Sequence, residues 1–138
     1  MNRIRHNKYL ITDERSCSEE QLKELFESVG WLSANYADRM VEAFRHSTVI
    51  TAWEDDHLIG LVDAIDDGSL IAYIHYLLIH KDYQKMGLGK DLIACLREKY
   101  QDYLYVIVIC EEKKNITFYE KLGFEVAEGA TPLQILTL

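Results

Sequence analysis

Two glycines after a long apolar run are the residues of this sequence best placed to bind a phosphate group. The run Leu70–Ile79 has the composition of a buried strand, and Gln84-Lys85-Met86-Gly87-Leu88-Gly89 then leads into a helical pattern. Glycine permits positive φ and close approach of the backbone to a ligand. The free N–H groups in the first turn of a helix attract anions. The spacing therefore predicts a phosphate-binding loop between a strand and a helix.

Two common nucleotide-binding loops do not match this stretch. A Walker loop ends in Gly-Lys-Ser/Thr, whereas Gly89-Lys90-Asp91 lacks the hydroxyl group that would contact magnesium. A Rossmann fingerprint needs a third glycine where this chain has Leu92. The loop is therefore predicted to hold a phosphate group by a different pattern.

The periodicity of apolar residues predicts the elements that position this loop. Ser18 and Gln21 form a capping box that starts a helix, and Gly30 ends that helix. Acidic turns join three strands into an antiparallel meander, and Leu104–Ile109 is predicted as a buried strand parallel to Leu70–Ile79. The predicted strands are Tyr9–Thr12, Thr48–Trp53, His57–Ala64, Leu70–Ile79, Leu104–Ile109, Phe124–Ala127 and Leu133–Leu138. The other predicted helices are Asn35–His46, one that follows Gly87, and Lys114–Leu122.

A second motif, Asn115–Phe124, reads NITFYEKLGF and lies one helix and one strand after the glycine loop. Q-x-x-G-x-G after an apolar strand, F-Y-x-x-x-G-F and the order of elements together resemble the GNAT superfamily of acetyl-CoA-dependent N-acetyltransferases over nearly the whole chain. The resemblance implies an α/β (α+β) GNAT fold. We therefore expect a mixed central sheet of about 6–7 strands, about 4 flanking helices and a splayed pair of parallel strands.

The resemblance implies that acetyl-CoA binds along the glycine loop and the splayed strand. Its pyrophosphate would lie on the amides of Lys85–Lys90, its pantetheine would pair with the backbone of Leu77–Ile79, and the Leu78 amide would polarise the thioester carbonyl. Many members carry an asparagine where this chain has Glu112, and Asn115, one turn later, is the candidate replacement. The expected coenzyme residues are Leu77, Leu78, Ile79, Gln84, Lys85, Met86, Gly87, Leu88, Gly89, Lys90, Asn115 and Tyr119.

Two further side chains are candidates for proton transfer. Tyr119 occupies the position of the tyrosine that protonates the leaving thiolate in many members, and packing beside Phe118 is the alternative. Alternation along the central strand predicts that Tyr73, His75 and Leu77 share one face. Many members have a glutamate at the position of His75, which makes this histidine the candidate base, and a structural histidine is the alternative.

The acceptor is predicted to be a primary amine, with a small molecule favoured over a protein. Trp31, Tyr36, Tyr73 and Asp63 are the candidate substrate residues, and acidic turns are expected to attract a cationic amine. Direct attack in a ternary complex is favoured over an acyl-cysteine, because Cys95 and Cys110 lie in apolar patterns where buried cysteine is common. A non-catalytic module that binds acyl-CoA is the alternative function.

Composition limits the remaining possibilities. A chain of 138 residues is predicted to form a single domain, 1–138, and its net charge of −8 argues against a nucleic-acid partner. The sequence shows no membrane span or signal peptide, and its three cysteines fit a reducing compartment, so a cytoplasmic protein without a membrane partner is expected. The five histidines lack metal-ligand spacing, so no metal site is expected. A homodimer is left open.

Overall fold

The computed structural model describes residues 3–6 and 9–137, and its centre is one mixed sheet. In the described residues the sheet has six strands in chain order: β1 Arg3–His6, β2 Tyr9–Thr12, β3 Thr48–Glu54, β4 His57–Asp66, β5 Ile71–Ile79 and β6 Tyr105–Val108. The helices are α1 Glu19–Ser28, α2 Ala37–Ala43, α3 Leu88–Lys99 and α4 Ile116–Lys121. Short 3-10 helices cover Leu32–Tyr36, Lys81–Tyr83 and Lys113–Asn115.

Local signals in the sequence start the elements where they were predicted. The Ser18 hydroxyl accepts a hydrogen bond from the Gln21 N–H (3.1 Å) and the Gln21 side chain accepts one from the Ser18 N–H (2.8 Å), so the capping box is confirmed. Strands β1 to β5 pair antiparallel in succession, and β6 pairs with β5 in parallel through the crossover helix α3. The predicted mixed sheet with a parallel pair is confirmed.

The sheet separates two apolar clusters. On one face α1 and α2 cover a cluster that includes Phe26, Trp53 and Leu61. On the other face α3 covers a cluster that includes Ile74 and Leu92. No helix in the described residues is long and apolar enough to span a membrane.

A β-bulge at His75 changes the facing of the second half of β5. Asp63 pairs with Tyr76 but the next residue of β4, Ala64, pairs with Ile74, so His75 has no partner position on β4. Beyond the bulge Leu77 packs with the α3 cluster, whereas Tyr76 packs with the α1 cluster. The prediction that Tyr73, His75 and Leu77 share one face is therefore wrong for Leu77, because one extra residue exchanges the two faces.

The predicted splay of the parallel strands is confirmed by the register. The strands β5 and β6 pair from Ile71 and Tyr105 to Ile74 and Val108, and β5 continues alone to Ile79. The backbone of β5 therefore has no β6 neighbour beyond Ile74, and a gap opens towards the glycine loop.

Four predicted elements differ from the structure. The segments Phe124–Ala127 and 133–137 are not strands, because neither pairs with another strand, and Leu138 lies outside the described residues. The helix predicted for Asn35–His46 is a 3-10 turn followed by the shorter helix α2. Strand β6 has an alternately exposed pattern rather than a buried one, because the described residues place nothing beside its outer edge.

Candidate active site

The glycine loop presents unpaired backbone N–H groups at the start of α3. Gly87 caps this helix with φ of 85° and Lys85 has φ of 67°, so the loop contains two left-handed residues. The first helical hydrogen bond runs from the Asp91 N–H to the Gly87 carbonyl (3.1 Å). The Gly87 position supplies no side-chain cap, so the amides of residues 88–90 remain available for an anion.

The two loop glycines are required for different reasons. A Cβ built on Gly87 meets no atom within 4 Å, so its positive φ is the constraint there. A Cβ on Gly89 would lie 3.4 Å from Cζ of Phe118. Gly89 therefore lets the start of α3 approach α4, and this contact closes one end of the loop against the second sequence motif.

A network of histidines and a glutamate holds the joint between β5 and the loop. Nε2 of His80 is 3.0 Å from one carboxylate oxygen of Glu24, and Nε2 of His57 is 2.6 Å from the other. Nδ1 of His80 accepts a hydrogen bond from the Asp82 N–H (3.2 Å), so its Nε2 carries the proton that is donated to Glu24. The three side chains are close enough to share a metal ion, but this proton pattern assigns them to hydrogen bonding.

A groove of about 750 Å³ lies between β5, the glycine loop and α4. Every expected coenzyme residue except Met86 lines it. Met86 is exposed, and its sulfur accepts a hydrogen bond from the Tyr9 hydroxyl (3.9 Å). The full lining is Val29, Trp31, Leu77, Leu78, Ile79, Tyr83, Gln84, Lys85, Gly87, Leu88, Gly89, Lys90, Asn115, Phe118 and Tyr119.

Sequence reasoning missed three residues of this groove. Val29 follows α1, Tyr83 lies in the polar joint, and Phe118 precedes Tyr119 in the second motif. The Phe-Tyr pair was a usable signal for Phe118. Val29 reaches the groove only because α1 packs on the sheet. The local sequence around Val29 does not predict this packing.

The expected role of the Leu78 amide is contradicted by the strand register. The His80 N–H donates to the Ile59 carbonyl (2.8 Å), and hydrogen-bonded pairs alternate along an antiparallel ladder. Leu78, two residues earlier and opposite Leu61, therefore directs its backbone groups towards β4. The same alternation turns Leu77 and Ile79 towards the gap, and the Ile79 carbonyl accepts a hydrogen bond from the Gln84 side chain (3.1 Å).

Tyr119 lies in the groove with a protonated phenol. Burial, and secondarily the charge of Cys110, raise the pKa of the Tyr119 hydroxyl to about 12. The rings of Phe118 and Phe124 pack edge-on against it, with centroids at 5.0 and 5.6 Å. The hydroxyl therefore keeps its proton at neutral pH, so that a proton is present in the groove for a departing thiolate.

A row of aromatic rings runs from the groove along β5. Trp31, which lines the groove, lies 6.2 Å from the Tyr76 ring, Tyr76 stacks on His75 at 4.0 Å, and His75 stacks near Tyr73 at 6.0 Å. The Tyr76 hydroxyl donates a hydrogen bond to Ser33 (3.0 Å). Two of the four expected substrate residues, Trp31 and Tyr73, belong to this row.

The other two expected substrate residues have different surroundings. Asp63 is buried beneath the bulge, where its Oδ1 accepts a hydrogen bond from the Tyr76 N–H (2.8 Å). Its charge raises the pKa of the Tyr73 hydroxyl, behind the larger effects of desolvation and Glu111, which shows that both carboxylates lie near the row. Tyr36 is exposed between the 3-10 turn and α2 and does not line the groove.

Two titratable groups beside the row have pKa values moved in opposite directions. Burial raises the pKa of Asp63 to about 7, although the hydrogen bond from Tyr76 opposes the shift. Desolvation lowers the pKa of His75 below its ordinary value, although the ring keeps an exposed edge. Either group can therefore accept a proton near neutral pH.

The chain matches acetyltransferases by sequence and by fold. The family model for the acetyltransferase (GNAT) domain matches residues 14–132. The N-acetyltransferase ycf52 of Porphyra purpurea is 28% identical over 120 residues, covering 83% of this chain and 68% of that protein. A histone acetyltransferase of Glycine max is 31% identical over 116 residues, covering 75% of this chain and 50% of that protein.

A solved GNAT-family acetyltransferase of Streptococcus pneumoniae TIGR4 shares the fold with a TM-score of 0.80 at 23% identity, covering 94% of this chain and 98% of the other. The family model covers both the glycine loop and the Phe-Tyr motif, and residues of both line the groove. The chain is therefore an acetyltransferase of the GNAT family.

Proposed function

We propose that this protein transfers an acetyl group from acetyl-CoA to a small primary amine by direct attack in a ternary complex. The observation that carries the proposal is the groove, which joins the uncapped start of α3 to the Tyr119 hydroxyl and to the aromatic row at Trp31. Coenzyme and acceptor would therefore meet beside Tyr119.

The chain has groups suited to each part of acetyl-CoA. The amides of residues 88–90, with the nearby ammonium groups of Lys85 and Lys90, suit the pyrophosphate. The backbone of Leu77 and Ile79 suits the pantetheine amides, in the manner of an added strand. The Leu77 amide, nearer to the bulge, replaces that of Leu78 as the proposed donor to the thioester carbonyl.

The transfer needs two proton movements. The neutral amine attacks the thioester carbon, the new C–N bond forms, and the C–S bond breaks. Tyr119 would donate its proton to the departing thiolate, and His75 or Asp63 would accept the proton released by the amine. Cys110 does not line the groove, and its thiol donates to the Glu112 carbonyl (3.1 Å), which favours direct attack over an acyl-cysteine.

A screen of amines for release of free CoA tests the proposed activity. Acceptance of at least one small primary amine, with rates that depend on both substrates in an intersecting pattern, is the expected result. Binding of acetyl-CoA without turnover across polyamines, arylalkylamines, amino sugars and lysine peptides would instead favour the non-catalytic acyl-CoA-binding module.

The pH dependence of catalytic efficiency should identify the base. If Asp63 accepts the proton, kcat/KM rises as pH increases through about 7, and Asp63→Asn loses this limb while keeping the acceptor for the Tyr76 N–H. If His75 accepts it, the limb lies below about 6.5 because desolvation lowers its pKa, and His75→Ala removes it. If both variants kept the wild-type pH profile, neither Asp63 nor His75 would be the base.

The prediction that the acidic turns attract the amine needs revision, because their carboxylates have other partners. Asp56 pairs with Arg15 (2.9 Å), Asp67 accepts three backbone N–H groups in its turn, and Asp66 bonds the Tyr100 hydroxyl (2.7 Å). Asp67 is therefore explained by its own turn, and Asp56 and Asp66 by bonds to distant parts of the fold. Asp63 and Glu111, the carboxylates near Tyr73, take their place as the groups that favour a cationic acceptor.

Glu111→Gln is expected to raise KM for the best cationic amine severalfold and to leave kcat unchanged, because a charge near the acceptor acts on binding. Added salt should reduce the difference between variant and wild type. Glu112→Gln is the matched control, since Glu112 forms an ion pair with Lys114 (3.0 Å). Equal KM values in wild type and Glu111→Gln would contradict this role.

A further inference from the structure

His80 is buried at the joint between β5 and the glycine loop, with 7% of its surface exposed. Its carbonyl accepts a hydrogen bond from the Tyr83 N–H (2.8 Å), and its Nδ1 accepts one from the Asp82 N–H (3.2 Å). Both bonds belong to the 3-10 turn Lys81–Tyr83, whose start His80 caps. The orientation of the His80 ring therefore influences the turn that leads into the glycine loop.

The Glu24 carboxylate of α1 fixes the opposite side of this ring. Nε2 of His80 lies 3.0 Å from one carboxylate oxygen, and Nε2 of His57, at the start of β4, lies 2.6 Å from the other. A carboxylate only accepts hydrogen bonds, so both rings present a proton to it. The Ser28 hydroxyl oxygen of α1 also accepts a hydrogen bond from the Lys81 N–H (3.3 Å). Helix α1 therefore holds both a side chain and the backbone of the joint.

The Tyr83 ring links these histidines to the groove that contains Tyr119. It packs edge-on against the imidazole rings of His57 and His80, with centroids 5.6 Å from each. The Tyr83 hydroxyl donates a hydrogen bond to Glu54 (2.8 Å), and Tyr83 lines the groove. A rotation of either imidazole would therefore displace a wall of the groove, although Glu24 itself does not line it.

We propose that Glu24 is a positioning residue for acetyl-CoA, whose binding it favours through His80 and Tyr83 and not by contact. The inference rests on the proposed function, because it takes acetyl-CoA as the ligand of this groove. A turn that is held in place before the ligand arrives loses less conformational entropy when the ligand binds. Glu24 therefore strengthens coenzyme binding by ordering the turn in the free protein.

The charge of Glu24 acts in the opposite direction, which separates positioning from electrostatics. Acetyl-CoA is an anion, so a nearby carboxylate repels it, and removing the charge alone would strengthen binding. Removing the hydrogen-bonding group would weaken binding instead. Glutamine at this position has no charge but keeps an oxygen for the His80 proton and an amide that can donate to the other tautomer of His57. Alanine keeps neither.

Direct titration of acetyl-CoA into the full chain tests this role. Glu24→Ala should raise Kd about 3- to 30-fold, the usual range for a residue that acts through a packed network. The rise should also appear in KM for acetyl-CoA, but not in KM for the amine or in kcat. Glu24→Gln should restore a Kd close to that of wild type. Glu24 is exposed, so both variants should fold.

Glu27→Ala is the matched control for the lost charge and the changed helix. Glu27 is also exposed, lies on the same helix and pairs with Lys23 (3.8 Å), away from the joint. It should keep the wild-type Kd.

His80→Asn tests the same link from its other end. The asparagine side chain can still accept the Asp82 N–H, as it does at many helix starts, but it is too short to reach Glu24. This variant should raise Kd by a similar factor. Combining it with Glu24→Ala should give no further rise, because both substitutions break one link.

Four results would overturn the positioning role. They are an unchanged or lower Kd in Glu24→Ala; an equal rise in Glu27→Ala; a Kd in Glu24→Gln as high as in Glu24→Ala; and additive effects of Glu24→Ala and His80→Asn. If the wild type bound no acetyl-CoA, the proposed function would fail together with this role. Equal binding by wild type and Glu24→Ala would overturn the positioning role alone.

Discussion

Replacing Gly87 with glutamate is expected to abolish the thermal stabilisation that acetyl-CoA gives the wild-type protein. The new side chain would bring a negative charge to the helix start proposed for the pyrophosphate, and would occupy a residue with φ of 85°. At a ligand concentration of about 100 times Kd, wild type should gain about 2.7 kcal/mol of stability by mass action. The variant should gain none, as measured by thermal unfolding with and without acetyl-CoA.

Gly68→Glu is the matched control for this experiment. Gly68 has φ of 81°, a Cβ there also meets nothing within 4 Å, and it lies in the turn between β4 and β5 outside the groove. The two variants therefore share the backbone strain and the added charge. A normal ligand-induced shift in Gly87→Glu, or a shift lost in both variants, would contradict the proposed position of the coenzyme.

Replacing Tyr119 with phenylalanine is expected to lower turnover by about 10²- to 10⁴-fold, the usual contribution of a general acid or base. The affinity for acetyl-CoA should change little, because the ring and its packing against Phe118 and Phe124 remain. Single-turnover rates at saturating amine, together with direct titration of acetyl-CoA, measure the two quantities separately.

Tyr103→Phe controls for loss of a tyrosine hydroxyl elsewhere. The Tyr103 hydroxyl donates to Asp66 (3.3 Å), and Tyr103 does not line the groove that contains Tyr119. It should keep wild-type turnover. If Tyr119→Phe also kept it, with the chemical step shown to limit the rate, Tyr119 would be assigned to packing alone.

Most of the groove proposed for the coenzyme could be predicted from sequence, because most of its residues lie in two contiguous motifs and the end of β5. The backbone of the loop from Gln84 to Lys90 is determined by its own sequence, because the glycines and the start of α3 lie within it. Tyr119 could be predicted for the same reason, because it lies within the motif Asn115–Phe124. Val29 could not be predicted, because it reaches the groove only through the packing of α1 on the sheet.

The candidate catalytic face of β5 was predicted less well, because the facing of its residues depends on where one extra residue lies in the register. Regular alternation would have grouped His75 with Leu77 and turned the Leu78 amide to the gap. Only the pairing between β4 and β5 shows where the extra residue lies.

The predicted C-terminal strands expose a different limit of sequence reasoning. The apolar pattern of residues 133–137 is typical of a strand, but a strand forms only beside another strand. Composition alone does not show whether such a neighbour is present. The same limit explains why β6 was expected to be buried. Its apolar residues are present, whereas the single chain places nothing against its outer edge.

The bulge at His75 makes the length of β5 as important as its composition. Deleting this one residue would restore an uninterrupted ladder with β4, because Ile74 and Tyr76 already pair with the neighbouring residues Ala64 and Asp63, and the residues from Tyr76 to Ile79 would keep their present faces. Tyr76 would stay opposite Asp63, and the aromatic row would lose the His75 ring that lies between Tyr73 and Tyr76. A homologous chain that lacks this residue would therefore keep the same strand faces and present the proposed acceptor with a surface that has no ring between Tyr73 and Tyr76.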